Sequence, residues 1–211
     1  MSMINFIKTN ISSSLILFMI LALNLPLNAQ HLEITPFVGY ETGGKVSTYQ
    51  GYLRIADGMN YGGALSFGLD EDMQLEFTYN HMNSELSLDR GEFISNKTAV
   101  NVDYYFLGVV KTQTIGERLR PFASFSGGLV NYRTPEKDID NEVLGAVNLA
   151  AGLKILASDH IGFRLQARLL LPLYITGAYI FGGSGGGGYG ITSSCIMVQG
   201  DFTGSLYFII D

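Results

Sequence analysis

"MQLEFTYNH", residues 73–81, decides the fold. Met73, Leu75, Phe77 and Tyr79 take every second position, and Gln74, Glu76, Thr78 and Asn80 fill the positions between. Successive side chains of a strand point to opposite faces, so a period of two makes one oily face and one polar face. A helix would repeat near 3.6 residues, and this stretch does not. The same period runs through "AVNVDYYF" at 99–106, with Val100, Val102, Tyr104 and Phe106 set against Asn101, Asp103 and Tyr105. "IGFRLQARLLL" at 161–171 sets Phe163, Leu165, Ala167 and Leu169 against Arg164, Gln166 and Arg168.

Working outward from these stretches, eight alternating segments emerge: 32–42, 59–69, 73–86, 98–113, 120–134, 143–157, 161–174 and 198–210. Each has at least the roughly 9–11 residues that a tilted strand needs to cross a membrane. The connections alternate in length. "DED" at 70–72, "TIGER" at 114–118 and "SDH" at 158–160 are short, whereas 43–58, 87–97, 135–142 and 175–197 are long and rich in Gly, Ser, Asn or charge. Short turns at one end and long loops at the other mark an outer-membrane barrel. The fold class predicted is all-β: an eight-stranded antiparallel up-and-down transmembrane β-barrel preceded by a cleaved signal peptide. A soluble sandwich would also alternate. Full charges in mid-strand on the polar face argue for a barrel with apolar side chains outward and polar ones inward.

Composition points the same way. Only 15% of the 211 residues are charged, while 26 glycines, 12 tyrosines and 13 phenylalanines favour strands and turns. The net charge of -6 and the lack of a Lys/Arg run give no footprint for nucleic acid. The lone Cys195 excludes an intramolecular disulfide and a Cys-based metal site.

The first thirty residues read as an address. Lys8 is their only charge, an apolar run follows from Leu15 to Leu23, and a small residue stands at Ala29. This is the order of a secretory signal peptide, and the run is too short for the roughly 20 residues of a membrane helix. Residues 1–29 are expected to be removed, leaving 30–211 as the outer-membrane β-barrel domain.

On these residues the chain resembles a known group. "HLEITPFVGYETGG" at 31–44 looks like the first strand of the small OmpA- and OmpW-like outer-membrane barrels of Gram-negative bacteria, and "YGGALSFGLDEDMQLEFTYNHMNSEL" at 61–86 looks like their second hairpin. The resemblance implies an eight-stranded barrel in the cell outer membrane and carries over no catalytic residue. Such chains usually end on an aromatic residue read by the barrel-assembly machinery. This one ends "LYFIID", which gives that part to Phe208. The expected partners are outer-membrane lipids and lipopolysaccharide, with Arg54 and Arg90 at the outer loops, and that machinery. The barrel is expected to be a monomer without the peptidoglycan-binding module of larger members.

Eight strands enclose a space about wide enough for side chains alone. Alternation directs Glu33, Glu76, Lys111, Lys154 and Arg164 inward near the periplasmic end and Glu41, Asp103, Arg168 and Asp201 inward higher up. Buried charges persist only when paired, so a salt-bridge plug is predicted, with Arg164 and Arg168 as hubs. Tyr79, Tyr104, Phe106, Phe163 and Phe208 are expected on the lipid side as interface aromatics.

Candidate chemistry is sparse. His81 has Ser84 and Glu85 nearby, but alternation sets Ser84 on the opposite face, so His81 reads as an interface anchor rather than a base. "DEDM" and "EKDID" lack the calcium-loop pattern, so neither metal nor cofactor is expected. "FGGSGGGGYG" at 181–190 contains a literal G-x-G-x-x-G, yet no helical period follows it and it reads as the tip of the fourth outer loop. Tyr174, Tyr179, Phe181 and Tyr189 either line the barrel mouth or join the aromatic girdle. The function expected is a non-enzymatic barrel that anchors surface loops over a charge-plugged lumen. The alternative is a narrow channel or lateral transporter for small or hydrophobic solutes, and a lipid-modifying enzyme comes third.

Overall fold

An isolated strand leaves its backbone groups unpaired, and in lipid only a sheet closed on itself satisfies them all. The computed structural model shows that closure. It describes residues 31–48, 51–89, 98–116, 118–134, 141–183, 186–195 and 198–210. The expected signal peptide and Arg90 lie outside the described residues.

The strands in chain order are β1 (Leu32–Glu41), β2 (Lys45–Thr48), β3 (Gly51–Ile55), β4 (Gly58–Asp70), β5 (Met73–Asp89), β6 (Thr98–Thr112), β7 (Leu119–Arg133), β8 (Glu142–Leu156), β9 (Ile161–Gly183), β10 (Gly186–Cys195) and β11 (Gln199–Ile210). Eight of them form the wall in the circular order β1, β4, β5, β6, β7, β8, β9, β11. Every neighbouring pair is antiparallel, and β1 closes the ring by pairing with β4 on one side and β11 on the other. Glu33 therefore faces Ser66 across one seam and Ile209 across the other.

Short turns join β4 to β5, β6 to β7 and β8 to β9 at the end that also holds the first residues of β1 and the last of β11. In the turn between β6 and β7, Gly116 has φ 67°, a left-handed backbone that costs glycine nothing.

Two of the long connections differ from expectation. Segment 43–58 contains the β2–β3 ribbon, and β3 also pairs with the top of β5. Segment 175–197 is not an open loop: β9 runs on to Gly183 and β10 returns along it, Gly186 opposite Gly183 and Cys195 opposite Leu173. The glycines of 181–190 conceal this ribbon in the sequence, although Tyr, Ile and Thr in both arms suit strands. The side chains of Tyr174, Tyr179, Phe181, Tyr189 and Cys195 lie outside those described.

The outer face is apolar over much of its area. Val38, Tyr40, Tyr61, Phe125, Leu129, Phe163, Leu165 and Phe202 are each more than half exposed. A soluble protein would not present so much contiguous oily surface to water, whereas a bilayer solvates it. Phe163 and Phe208 sit on this face and Tyr79 borders it, as the alternation predicts.

The sense of β6 is a correction. Val100, Val102, Tyr104, Phe106 and Val110 point into the barrel and are buried, so Tyr104 and Phe106 are not interface aromatics. Asp103 and Lys111 fall on the outward face; Lys111 is exposed near the short-turn end, opposite Met73. The physical reason is that β6 is apolar on both faces. Leu107 and Val109 serve the lipid side, while the even positions fill an oily part of the lumen. That part is built by Ile55, Met82, Val102, Tyr104, Val130 and Leu170.

Candidate functional site: a paired lumen and a polar patch on the wall

The lumen holds charge in two tiers. Near the short-turn end, Lys154 Nζ donates to Glu33 Oε2 at 2.5 Å and to Gln74 Oε1 at 2.8 Å. Arg164 grips Glu76 with both ends of its fork, Nη1 to Oε2 at 2.5 Å and Nη2 to Oε1 at 3.0 Å. Ser66 adds a bond to the same carboxylate, and Gln166 accepts from Arg164 Nε. Two cations thus meet two carboxylates, and Arg120, in register with Lys154, brings a third guanidinium whose Nε is buried.

The upper tier is built on Arg168. Its Nε and Nη2 both donate to the Asp201 carboxylate, directly across the β9–β11 pair. Asn60 links Asp201 to Asn80, and Asn80 donates to Glu41 at 2.8 Å. Glu41, Asp103 and Asp201 were all expected in this tier; Glu41 and Asp201 are here and Asp103 is not. Seven of the nine predicted lumen charges thus face inward. These seven side chains are nearly sealed from solvent, which charge tolerates only with partners of this kind.

The sequence reading did not find the aromatic floor under the cations. Arg164 lies over the Phe122 ring at 4.4 Å, Arg168 over Phe37 at 4.6 Å and Lys154 over Tyr207 at 5.5 Å. Each ring stands directly across from a glycine on the next strand: Phe122 from Gly152, Phe37 from Gly62, and Tyr207 from Gly162. A Cβ on any of these glycines would run into the facing ring; at Gly152 it would come within 2.6 Å of Phe122, and at Gly62 within 2.8 Å of Phe37. The missing side chain lets the ring lie flat on the wall, and the ring presents its negative face to a cation. This glycine–aromatic–cation unit occurs three times.

Beside the upper tier, the oily part of the lumen is filled by buried side chains. Tyr104 and Phe106 stack at 5.4 Å, and Tyr104 donates its hydroxyl to Gln199, joining the apolar and polar halves.

On the outer wall lies a second polar group. Asp103 is 0% exposed although it points away from the lumen. Its Oδ1 accepts from Tyr79 at 2.8 Å and pairs with His81 Nδ1 at 2.7 Å, and its Oδ2 accepts from Arg133 Nε at 2.9 Å and Nη2 at 2.5 Å. Arg133, by contrast, keeps 46% of its side chain exposed. The register explains the meeting: His81 lies opposite Asp103, and Asp103 opposite Asn131. His81 Nε2 faces Asn83 Oδ1 at 3.1 Å, and its ring tilts against Tyr61 at 5.0 Å. Ser84, turned to the other face, bonds to the Ala56 carbonyl instead. His81 is therefore not a lone interface ring, as expected, but one arm of an ion cluster.

No protein-family model matches the chain, and no curated protein matches it. Solved structures do. Neisserial surface protein A superposes with a TM-score of 0.58 at 8% identity, over 84% of this chain and 96% of that one. The outer membrane protein OprG from Pseudomonas aeruginosa gives 0.56 at 9%, over 86% and 93%. The outer membrane protein AlkL, determined in DMPC bilayers, gives 0.52 at 12%, over 86% and 90%. At such identities the likeness is one of fold. Taken with the closed ring and the oily exterior, it gives this chain the fold of a small eight-stranded antiparallel β-barrel, the fold that these outer-membrane proteins share.

Proposed function

We propose that the chain is a closed barrel that anchors surface ribbons and loops in the outer membrane and acts by display rather than conduction. One observation carries this reading: Lys154 and Arg164 are each bonded to a carboxylate across the lumen, Arg168 is bonded to Asp201 on the neighbouring strand and to Asn80 across the lumen, and all three cations are backed by an aromatic ring. An ion crossing the barrel would have to break such pairs in a space of low dielectric. Buried apolar side chains beside the upper tier fill part of the remaining cross-section. The ribbons support display, since β9 continues from Leu173, its last residue paired with β8, to Gly183.

The reading is non-catalytic. It is supported by the surroundings of the His81–Asp103 pair: among the described residues, His81 Nε2 faces Asn83 Oδ1 and is bonded to no Ser, Thr or Cys side chain. Single-channel recording of the refolded barrel in a planar bilayer tests the proposal. A flat current at moderate voltage is expected; resolved unitary steps would overturn it.

A further inference from the structure

An ionised cluster on the lipid-facing wall is costly and calls for a function. We infer that Asp103 holds Arg133 against the outer wall as a receptor for the phosphate of a membrane lipid. The site owes nothing to the lumen, so it stands whether or not the barrel conducts.

Depth comes first. His81 and Asp103 lie side by side, and His81 stands eight positions beyond Met73, the first residue of β5. At about 3.3 Å per residue and a tilt near 40°, that is a rise of roughly 20 Å in an apolar belt about 25 Å tall. His81 and Asp103 therefore sit just inside the long-loop edge of the belt, and Arg133, rooted two positions further along, starts at that edge, next to the headgroups.

Direction comes second. Arg133 is the last residue of β7 and lies opposite Asn101. An arginine at a strand end would normally extend away from lipid toward water. Arg133 turns back instead, along the wall to Asp103, two positions further into the membrane. Nε and Nη2 face the carboxylate, and the Nη1 donors bond to no described residue. A guanidinium fixed in this way presents planar donors outward, a match for phosphate oxygens.

The surroundings come third. Tyr61, Tyr105 and Leu129 flank the patch and are 51%, 42% and 53% exposed. Apolar surface beside a phosphate receptor suits a ligand that carries acyl chains, so the phosphate is that of a lipid and not a free anion. Asp103 is a positioning residue; Arg133 makes the contact.

The test uses the whole barrel refolded in dodecyl maltoside, which carries no phosphate. Dihexanoyl phosphatidic acid, dihexanoylglycerol and inorganic phosphate are titrated separately, and the Arg133 Nε–H resonance is followed, with Arg118, exposed at the short-turn end, as internal control. Phosphatidic acid should shift Arg133 saturably and leave Arg118 still, while the other two probes leave Arg133 unmoved at the same concentrations. In Arg133→Gln, affinity read from the Tyr105 and Leu129 amides should fall at least tenfold while the remaining amide spectrum stays superposable. In Asp103→Asn the arginine keeps its charge, yet affinity should also fall, and the Nε–H resonance should move toward that of a solvated arginine. Equal saturation by inorganic phosphate, equal binding of dihexanoylglycerol, or unchanged affinity in Arg133→Gln would each overturn the inference.

Discussion

The barrel carries ion pairs in two places, and they are built differently. In the lumen, Arg164 and Arg168 are as sealed as the carboxylates they hold, and each rests on an aromatic ring. On the wall, Asp103 alone is sealed, while its arginine is half in the open. Inside, each cation is enclosed together with its carboxylate, and the Nη1 that Arg168 leaves without a hydrogen-bond partner is buried. Outside, a carboxylate gathers a tyrosine, a histidine and an arginine and leaves one edge of the guanidinium unused. The same residue types thus close a space in one region and present a donor in the other. Register decides which, because it determines whether the facing strands enclose the cation completely.

The largest effect should come from breaking a lumen pair. Arg168→Ala leaves Asp201 buried and short of its main partner, and unfolding in detergent should be easier by about 3–5 kcal/mol. A midpoint equal to wild type would mean that the tier is wet and the contrast with the wall is false. Next comes the floor under the cations. Gly152→Ala places a methyl against both the Leu165 carbonyl and the Phe122 ring and should destabilise by about 1–3 kcal/mol through overpacking, and Phe122→Leu in that background should recover the part of the clash that is due to the ring. If Gly152→Ala is silent, the glycine–aromatic–cation unit is a coincidence of register.

The wall variant should cost less than either. Arg133→Gln removes a half-exposed partner while Tyr79 and His81 still bond Asp103, so its melting temperature should fall less than that of Arg168→Ala. A greater fall would make the wall cluster a stability device and remove the distinction drawn here. The smallest effect belongs to Lys111→Ala. Expected from sequence in the lumen but exposed in the structure, Lys111 should be within about ±0.5 kcal/mol of wild type by equilibrium unfolding.

The same contrast shows what the sequence could carry. The period of two located all eight wall strands, because alternation is a local property of each strand. It also directed Arg164, Arg168 and Glu76 inward, where one face is clearly oily and the other clearly charged. On β6 it failed. Tyr104 and Phe106 on one face and Tyr105 and Leu107 on the other are nearly equal in oiliness, so the period is legible there and its sense is not. Only pairing with β5 and β7 turns Asp103 outward. The His81–Asp103–Arg133 cluster was hidden for the same reason: its members are far apart in the chain and meet through register alone. The β9–β10 ribbon was hidden by glycine, which weakens any strand signal although its backbone pairs like any other. The glycines facing Phe37, Phe122 and Tyr207 carried a signal of a kind, since a mid-strand glycine often marks a close approach.

A double-mutant cycle on Arg164 and Glu76, read by urea unfolding of the refolded barrel in detergent, tests most directly whether the lumen is closed by mutually satisfied charges. The geometry predicts a favourable coupling of about 2–3 kcal/mol between the two side chains. Additive losses, with coupling near zero, would mean that the two charges are separately solvated, and the closed lumen would be contradicted.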